Sequence, residues 1–406
     1  MSGLLPVAEA RARILSGVAR LPSERVALRE ALGRTLANPL SALRTQPPWD
    51  CSAMDGYAVR ASDVGRAPAR LTVIGEAAAG RAFGGRVGPG EAVRIFTGAP
   101  VPDGADAILL QEDAERDGAV VTAQEAAVLG RHIRRAGIDF ATGQELLPAG
   151  RRLGARDLAL AAALGHPAVD VGRRPRVAIL ATGDELVMPG ERAGPDQIIA
   201  SNSFAIAAVV EGEGGVAVDL GIAPDDRAAI RAAIDRAIEE KVDVLVTLGG
   251  ASVGDHDLVQ PALAEAGVAL DFWKIAMRPG KPMMAGRRGD MLALGLPGNP
   301  VSAIVCSLLF LVPALRRMAG REDVEPAKTF ARLGRDMAQN DRREDYMRAA
   351  LTFDSDGVAV ATAFDRQDSS MLRALSDAEC LLVRPAHAPA ADAGTPCEIM
   401  MLHHPF

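Results

Sequence analysis

The pattern of apolar and polar positions changes character four times along the chain. Over residues 1–46, apolar positions at 14, 15 and 18 recur at helical spacing behind Pro6, which suits a first helical turn, so this stretch reads as helical. From 47 to 147 the pattern breaks into short β-type runs at 70–74, 92–97, 107–111 and 119–122. Turn residues such as Gly88, Pro89 and Gly90 separate them, which predicts a small β-rich domain. Residues 148–170 return to helix, apolar on one side over 157–164 and capped by Gly165. That return predicts a β-rich domain inserted into a helical one.

Beyond residue 171, strand and helix patterns alternate. Strands are predicted at 177–181, 216–221, 242–248 and 291–296, and helices at 203–211, 226–240 and 301–315. Apolar runs of this kind, buried on both faces, predict a three-layer α/β domain over 171–325 with a parallel sheet between helices. Ligands of such sheets bind at the carboxyl ends of the strands. From 326 to 406 the pattern is β-like again, at 346–353, 358–363, 380–383 and 398–402, with a turn at Asp354-Ser355-Asp356-Gly357.

At 406 residues and 49% apolar content, the chain is large enough for several cores. A formal charge of −7 argues against a general nucleic-acid or membrane surface. The longest apolar stretch, 301–315, contains Pro313 and is too short to span a bilayer. The N-terminus carries no continuous apolar region, so no signal peptide is expected. Four cysteines, at 51, 306, 380 and 397, lie far apart without metal-ligand spacing and read as reduced thiols of a cytoplasmic protein.

Candidate chemistry concentrates at residues 242–305. The runs VDVLVTLGGASVGDHDL, WKIAMRPGKP and MLALGLPGNPVSAIV each bring a Gly-rich turn to the end of an apolar run, where backbone N–H groups can close around an anion. Asp255 and Asp257 follow the first turn, and Lys274, Arg278 and Lys281 fall between the turns. Only four of the 45 basic residues are Lys, so two lysines in one short segment point to a use for a compact ammonium. These features describe a phosphate-bearing ligand with a bound metal. No Gly-Lys-Ser/Thr follows the first turn, which excludes a Walker A loop, and the absence of GxGxxG argues against a dinucleotide.

Each motif also has a plain structural reading. Asn299 and Pro300 form an ordinary N-cap and first-turn pair, the TGDEL acids suit a solvated loop, and Asp55-Gly56 is a turn signal. Arg134 and Arg135 near Asp139 are compatible with surface pairing. No Ser-His-Asp or Cys-His arrangement is visible, so the chemistry is expected to be electrostatic and metal-assisted.

Taken in order, DCSAMDGYAVR, FTGAPVPDGADAILLQED, RHIRRAGIDF, ATGDEL, GIAPDD, TLGGASVGDHD, MRPGKP and LPGNP resemble the molybdopterin molybdenumtransferases, the family of MoeA and of gephyrin's E domain. The resemblance spans nearly the whole chain. It implies a helical subdomain split by a β insert, a molybdopterin-binding α/β domain, a C-terminal β-barrel and a homodimer. It implies an enzyme that takes adenylylated molybdopterin and molybdate, inserts the metal at the dithiolene and releases AMP with Mg²⁺ present. Molybdopterin adenylyltransferase is a further implied partner.

Carried over by motif, Lys274, Arg278, Lys281 and Arg134 would hold phosphates or molybdate. The turns bearing Gly249, Gly250, Ser252 and Gly254, and Pro297 and Asn299, would lie beneath them. Asp225, Asp226 and Asp257 are the Mg²⁺ candidates, since Mg²⁺ takes oxygen ligands. Asp55, Thr97, Asp139 and Glu185 would complete the site, with Arg348 and Ser369 or Ser370 contributed by the C-terminal domain. Cys51 stands where many relatives have Asn, and Arg278 where some have Lys. An adenylyltransferase sharing only the α/β domain would not need residues 1–170 or the barrel. A receptor-clustering scaffold and a tungsten-handling enzyme are the other readings.

Overall fold

The computed structural model describes residues 4–250 and 258–402. Its centre is a six-stranded sheet ordered Val216–Ala223, Arg176–Thr182, Val244–Leu248, Met291–Leu296, Pro282–Arg288 and Ala269–Lys274. The first four strands are parallel, with Val177 opposite both Ala217 and Val244, and Val244 opposite Leu292. Side chains alternate between the faces of each strand. Val177, Ile179, Val244 and Val246 pack with Ile206, Val210, Val301 and Phe310 on one side. Ala178, Leu180 and Leu245 pack with Ile230, Ile234, Val259 and Leu263 on the other. The result is the three-layer arrangement expected.

The sheet is mixed, however, and not wholly parallel. Pro282–Arg288 runs antiparallel to Met291–Leu296, and Ala269–Lys274 antiparallel to Pro282–Arg288. Gly289, at φ 58°, turns the chain between the first two within a connection too short for a crossover. The apolar stretch near 301–315 lies within Pro300–Ala319, a 20-residue helix long and apolar enough to cross a membrane; 83% of its most apolar window is buried in the core. A π-helical segment, Ser307–Leu311, interrupts it just before Pro313, whose missing N–H the wider turn accommodates.

The expectation of helix throughout 1–46 is corrected. Among the described residues of this stretch only Val7–Ser16 is α-helical, and its Val7, Ala10 and Ile14 join the core of the α/β sheet. Ser23–Ala27 is instead a strand, antiparallel to Ala168–Gly172, and Leu40–Ser41 pairs with Glu145–Leu147. These ribbons form by pairing across more than a hundred residues, which no local periodicity reports. The helix Ala155–Ala163 packs beside them, with Gly165 at φ 99° ending it.

Between the ribbons lies a six-stranded sheet ordered Ala107–Leu110, Gly56–Val59, Glu91–Ile95, Ala69–Ala77, Val120–Ala123 and Ala114–Asp117. Gly56–Val59, which begins at the Asp55-Gly56 turn signal, is a fully buried inner strand. At the other end of the chain, Thr329–Leu333, Glu344–Phe353, Ala359–Ala363, Cys380–Arg384 and Pro396–Met401 close into a five-stranded barrel. Met277–Arg278 of the α/β domain joins this barrel as a short parallel strand beside Glu344 and Asp345.

Candidate active site

A cavity of about 670 Å³ opens at the carboxyl ends of the parallel strands. Each strand delivers one part of it. Arg176–Thr182 leads to Gly183 and Glu185, Val216–Ala223 to Asp225, Val244–Leu248 to Gly249 and Gly250, and Met291–Leu296 to Pro297 through Pro300. Gly249, at φ 96°, has no room for a side chain: a Cβ there would stand 2.8 Å from the Thr182 carbonyl oxygen. Ser252, Gly254 and Asp257 lie outside the described residues.

The Pro297–Pro300 turn is more occupied than its sequence implies. Asn299 makes no side-chain cap; its Nδ2 donates to the Ser369 hydroxyl at 2.9 Å. The Ser369 carbonyl accepts the Val301 N–H at 3.1 Å, and Asn202 Nδ2 donates to the Gly298 carbonyl at 2.7 Å. Ser369 therefore braces the helix start, while the neighbouring Ser370 lines the cavity. Asn202, Ser203, Ile198 and Ile199 also line it, and sequence reasoning had singled out none of them.

The paired acids separate. Asp225 lines the cavity, and its N–H donates to Asp184 Oδ1 at 3.0 Å. Asp226 does not line it: its Oδ1 accepts the Ala229 N–H at 2.8 Å and caps helix Arg227–Glu239. An N-cap explains that carboxylate without a metal. Among the described residues no group of three or more His, Cys, Asp or Glu is placed to hold a metal ion.

Among the described residues, Lys274, Arg278 and Lys281 do not appear in the lining of the large cavity. Arg278 turns toward the barrel, where its Nε donates to Asp345 Oδ1 at 2.8 Å and its Nη2 to the other carboxylate oxygen. The Asp345 carboxylate raises the Arg278 pKa from its ordinary value. Together with Arg348 and Gln367 this pair borders a second cavity of about 300 Å³. Arg348 is fully buried, and its Nη2 donates to the Asp368 carbonyl at 2.9 Å. Its Nε has no partner among the described residues. Burial pulls the Arg348 pKa down. The segment 367–372 borders both cavities.

A third cluster belongs to the inserted sheet. Asp55 Oδ1 accepts the Thr97 N–H at 2.7 Å and the Thr97 hydroxyl at 2.8 Å, which holds the carboxyl below its usual pKa. Arg94, which carried no sequence signal, stacks between Tyr57 and Phe96 at 5.1 and 4.8 Å from the ring centres. It stands directly across from Tyr57 on the neighbouring strand. Arg134 pairs in register with Cys51 and is exposed, as is Asp139. Arg135 reaches Asp50 at 2.5 Å, so the surface ion pair expected in this segment forms with Asp50 and not with Asp139. Among the described residues, none of Asp55, Thr97, Arg134 and Asp139 lines either cavity.

Comparison with known proteins matches three family models in order: the MoeA N-terminal region (domain I and II) over 5–165, a probable molybdopterin binding domain over 178–317, and the MoeA C-terminal region (domain IV) over 331–402. A molybdopterin molybdenumtransferase of a Nostoc species is 38% identical over 81% of this chain and 77% of its own length. One of Haemophilus influenzae is 32% identical over 99% of both. The crystal structure of a molybdopterin biosynthesis MoeA protein from Pyrococcus horikosii superposes with a TM-score of 0.83 at 32% identity, covering 99% of this chain and all of that one. The chain belongs to the molybdopterin molybdenumtransferase family, the enzymes of the MoeA type.

Proposed function

We propose that the chain carries out its family's reaction on adenylylated molybdopterin and molybdate, inserting molybdenum at the dithiolene and releasing AMP. The observation that carries this reading is the cavity at the carboxyl ends of the parallel strands, lined by Glu185, Asp225, Gly249, Gly250 and the Pro297–Pro300 turn, in the domain that matches the probable molybdopterin binding domain. The cavity of about 670 Å³ suits the pterin and pyrophosphate, with the Gly249-Gly250 and Pro297–Pro300 turns along its lining. Bringing a dianion to a dithiolate requires cations and fixed dipoles at the point of encounter.

Mg²⁺ fits this cavity in part. Asp225 and Glu185 offer oxygen ligands there, and Mg²⁺ commonly takes one or two carboxylates together with substrate phosphates. When bound it would neutralise the pyrophosphate as the P–O bond breaks. The protein groups would orient the substrate's phosphates and exclude water.

The same reading includes a homodimer. Asp55, Thr97, Arg134 and Asp139 sit apart from both cavities on one chain, and a two-fold partner can supply them. Exposed apolar side chains at Leu32, Leu43, Val128, Leu129 and Ile138 offer surface for such contacts. A cytoplasmic setting and handover from molybdopterin adenylyltransferase complete the proposal. Incubation with adenylylated molybdopterin, Mg²⁺ and molybdate should release AMP in a molybdate-dependent manner. Release that ignores the oxyanion, or tungstate replacing molybdate with preference, would overturn the assignment.

A further inference from the structure

Arg94 ties together three segments of the inserted sheet. It lies on Glu91–Ile95, directly across from Tyr57, and its guanidinium stacks on the rings of Tyr57 and Phe96. Its Nη1 donates to the Gly56 carbonyl at 3.0 Å, and its Nη2 donates to Gln111 Oε1 at 2.6 Å. The Gln111 N–H in turn donates to the Asp55 carbonyl at 3.2 Å. The carbonyls of Asp55 and Gly56 are therefore held in succession, the first by Gln111 and the second by Arg94. Gly56 has no slack on its other side, where a Cβ would clash with the Leu109 carbonyl oxygen. On the segment that carries Arg94, Thr97 grips the Asp55 carboxylate through its N–H and its hydroxyl.

We propose that Arg94 is a positioning residue, which clamps the Asp55-Gly56 backbone so that the Asp55 carboxylate stays seated on Thr97. The aromatic stack restrains the guanidinium plane, and two hydrogen bonds to fixed acceptors set its rotation within that plane. A lysine ammonium, a point charge on a flexible stem, cannot supply both. The Thr97 N–H and hydroxyl do most to lower the Asp55 pKa, and the charge of Arg94 lowers it further. The inference rests on reading Asp55 as part of the cleft that two copies share.

The test combines two readouts on the full-length protein: the Asp55 carboxyl titration by carbon NMR, and AMP release at saturating adenylylated molybdopterin, molybdate and Mg²⁺. Arg94→Lys keeps the charge and loses the fork. An upward movement of the Asp55 titration in this variant therefore reports looser seating on Thr97 and not a missing charge. That movement is expected, together with a fall in kcat of about tenfold or more, the scale on which a displaced group loses its effect. A merely structural arginine would lower thermal stability and leave the Asp55 titration where it stands in the wild type; an unmoved titration overturns the proposal. If Arg94→Lys does not fold, Gln111→Met removes the acceptor of Nη2 and leaves the arginine in place; the same upward movement is expected, and its absence overturns the proposal. Impaired release in Asp55→Asn with unchanged release in Arg94→Lys defeats the positioning role alone. Unchanged release in Asp55→Asn defeats the reading of Asp55 as part of the cleft, and the positioning role with it.

Discussion

Asp55 is joined to Thr97 twice, through the backbone N–H and the hydroxyl, and both bonds fall on the same carboxylate oxygen. The two residues flank neighbouring strands: Asp55 precedes Gly56–Val59 and Thr97 follows Glu91–Ile95. These bonds hold the Asp55 carboxyl below its ordinary pKa, which suits a fixed negative charge better than a proton carrier.

The first prediction is a pH dependence. Because the folded pKa of Asp55 lies below the ordinary 3.8, the interaction stabilises the fold above that value and is lost as pH falls through the folded pKa. Asp55 should therefore contribute nothing to a slope near neutral pH. Thr97→Val removes one of the two donors and should move the Asp55 carboxyl titration upward, as followed by carbon NMR. A titration unmoved by the substitution would contradict the hydrogen bond from the Thr97 hydroxyl.

Asp226 and Asp225 should differ in kind. Asp226→Ala removes the cap of helix Arg227–Glu239 and should lower stability by about 1 kcal/mol in denaturant unfolding. Asp225→Asn should leave unfolding nearly unchanged and raise the Mg²⁺ needed for AMP release. A shared phenotype would show that the two carboxylates act as one site.

Arg348→Met tests whether a buried charge serves stability or a ligand. Replacing a buried, incompletely paired guanidinium by an apolar chain should leave stability equal or higher. Molybdate-dependent AMP release should fall by about tenfold to a hundredfold, as expected for a lost charge-assisted bond. Marked destabilisation with unchanged molybdate dependence would assign Arg348 to the barrel's architecture.

Much of this layout was legible in the sequence because it rests on local pattern. The four parallel strands announced themselves as apolar runs, and the glycine turns that floor the cavity followed directly from them. What stayed hidden depends on pairing across distance. Ser23–Ala27 is exposed at most of its positions and becomes a strand only against Ala168–Gly172. Ala269–Lys274 and Pro282–Arg288 flank a motif rich in Lys, Arg and Pro, so charge and turn residues masked two strands of the central sheet. The motifs name the acids but do not separate their surroundings. Nothing in GIAPDD distinguishes the capping Asp226 from Asp225, and nothing in MRPGKP foretells that Arg278 meets Asp345, 67 residues later.

The central claim is that the Asp55 cluster of one copy completes the cavities of another. Asp55→Asn and Asp225→Asn proteins should be unfolded and refolded together and assayed for AMP release at a Mg²⁺ concentration at which neither variant alone is active. In a mixed two-fold dimer one cleft carries both defects and the other carries none. Random pairing makes about half of the dimers mixed, so recovery near a quarter of wild-type activity is expected. No recovery from a preparation shown to contain mixed dimers would contradict the shared cleft.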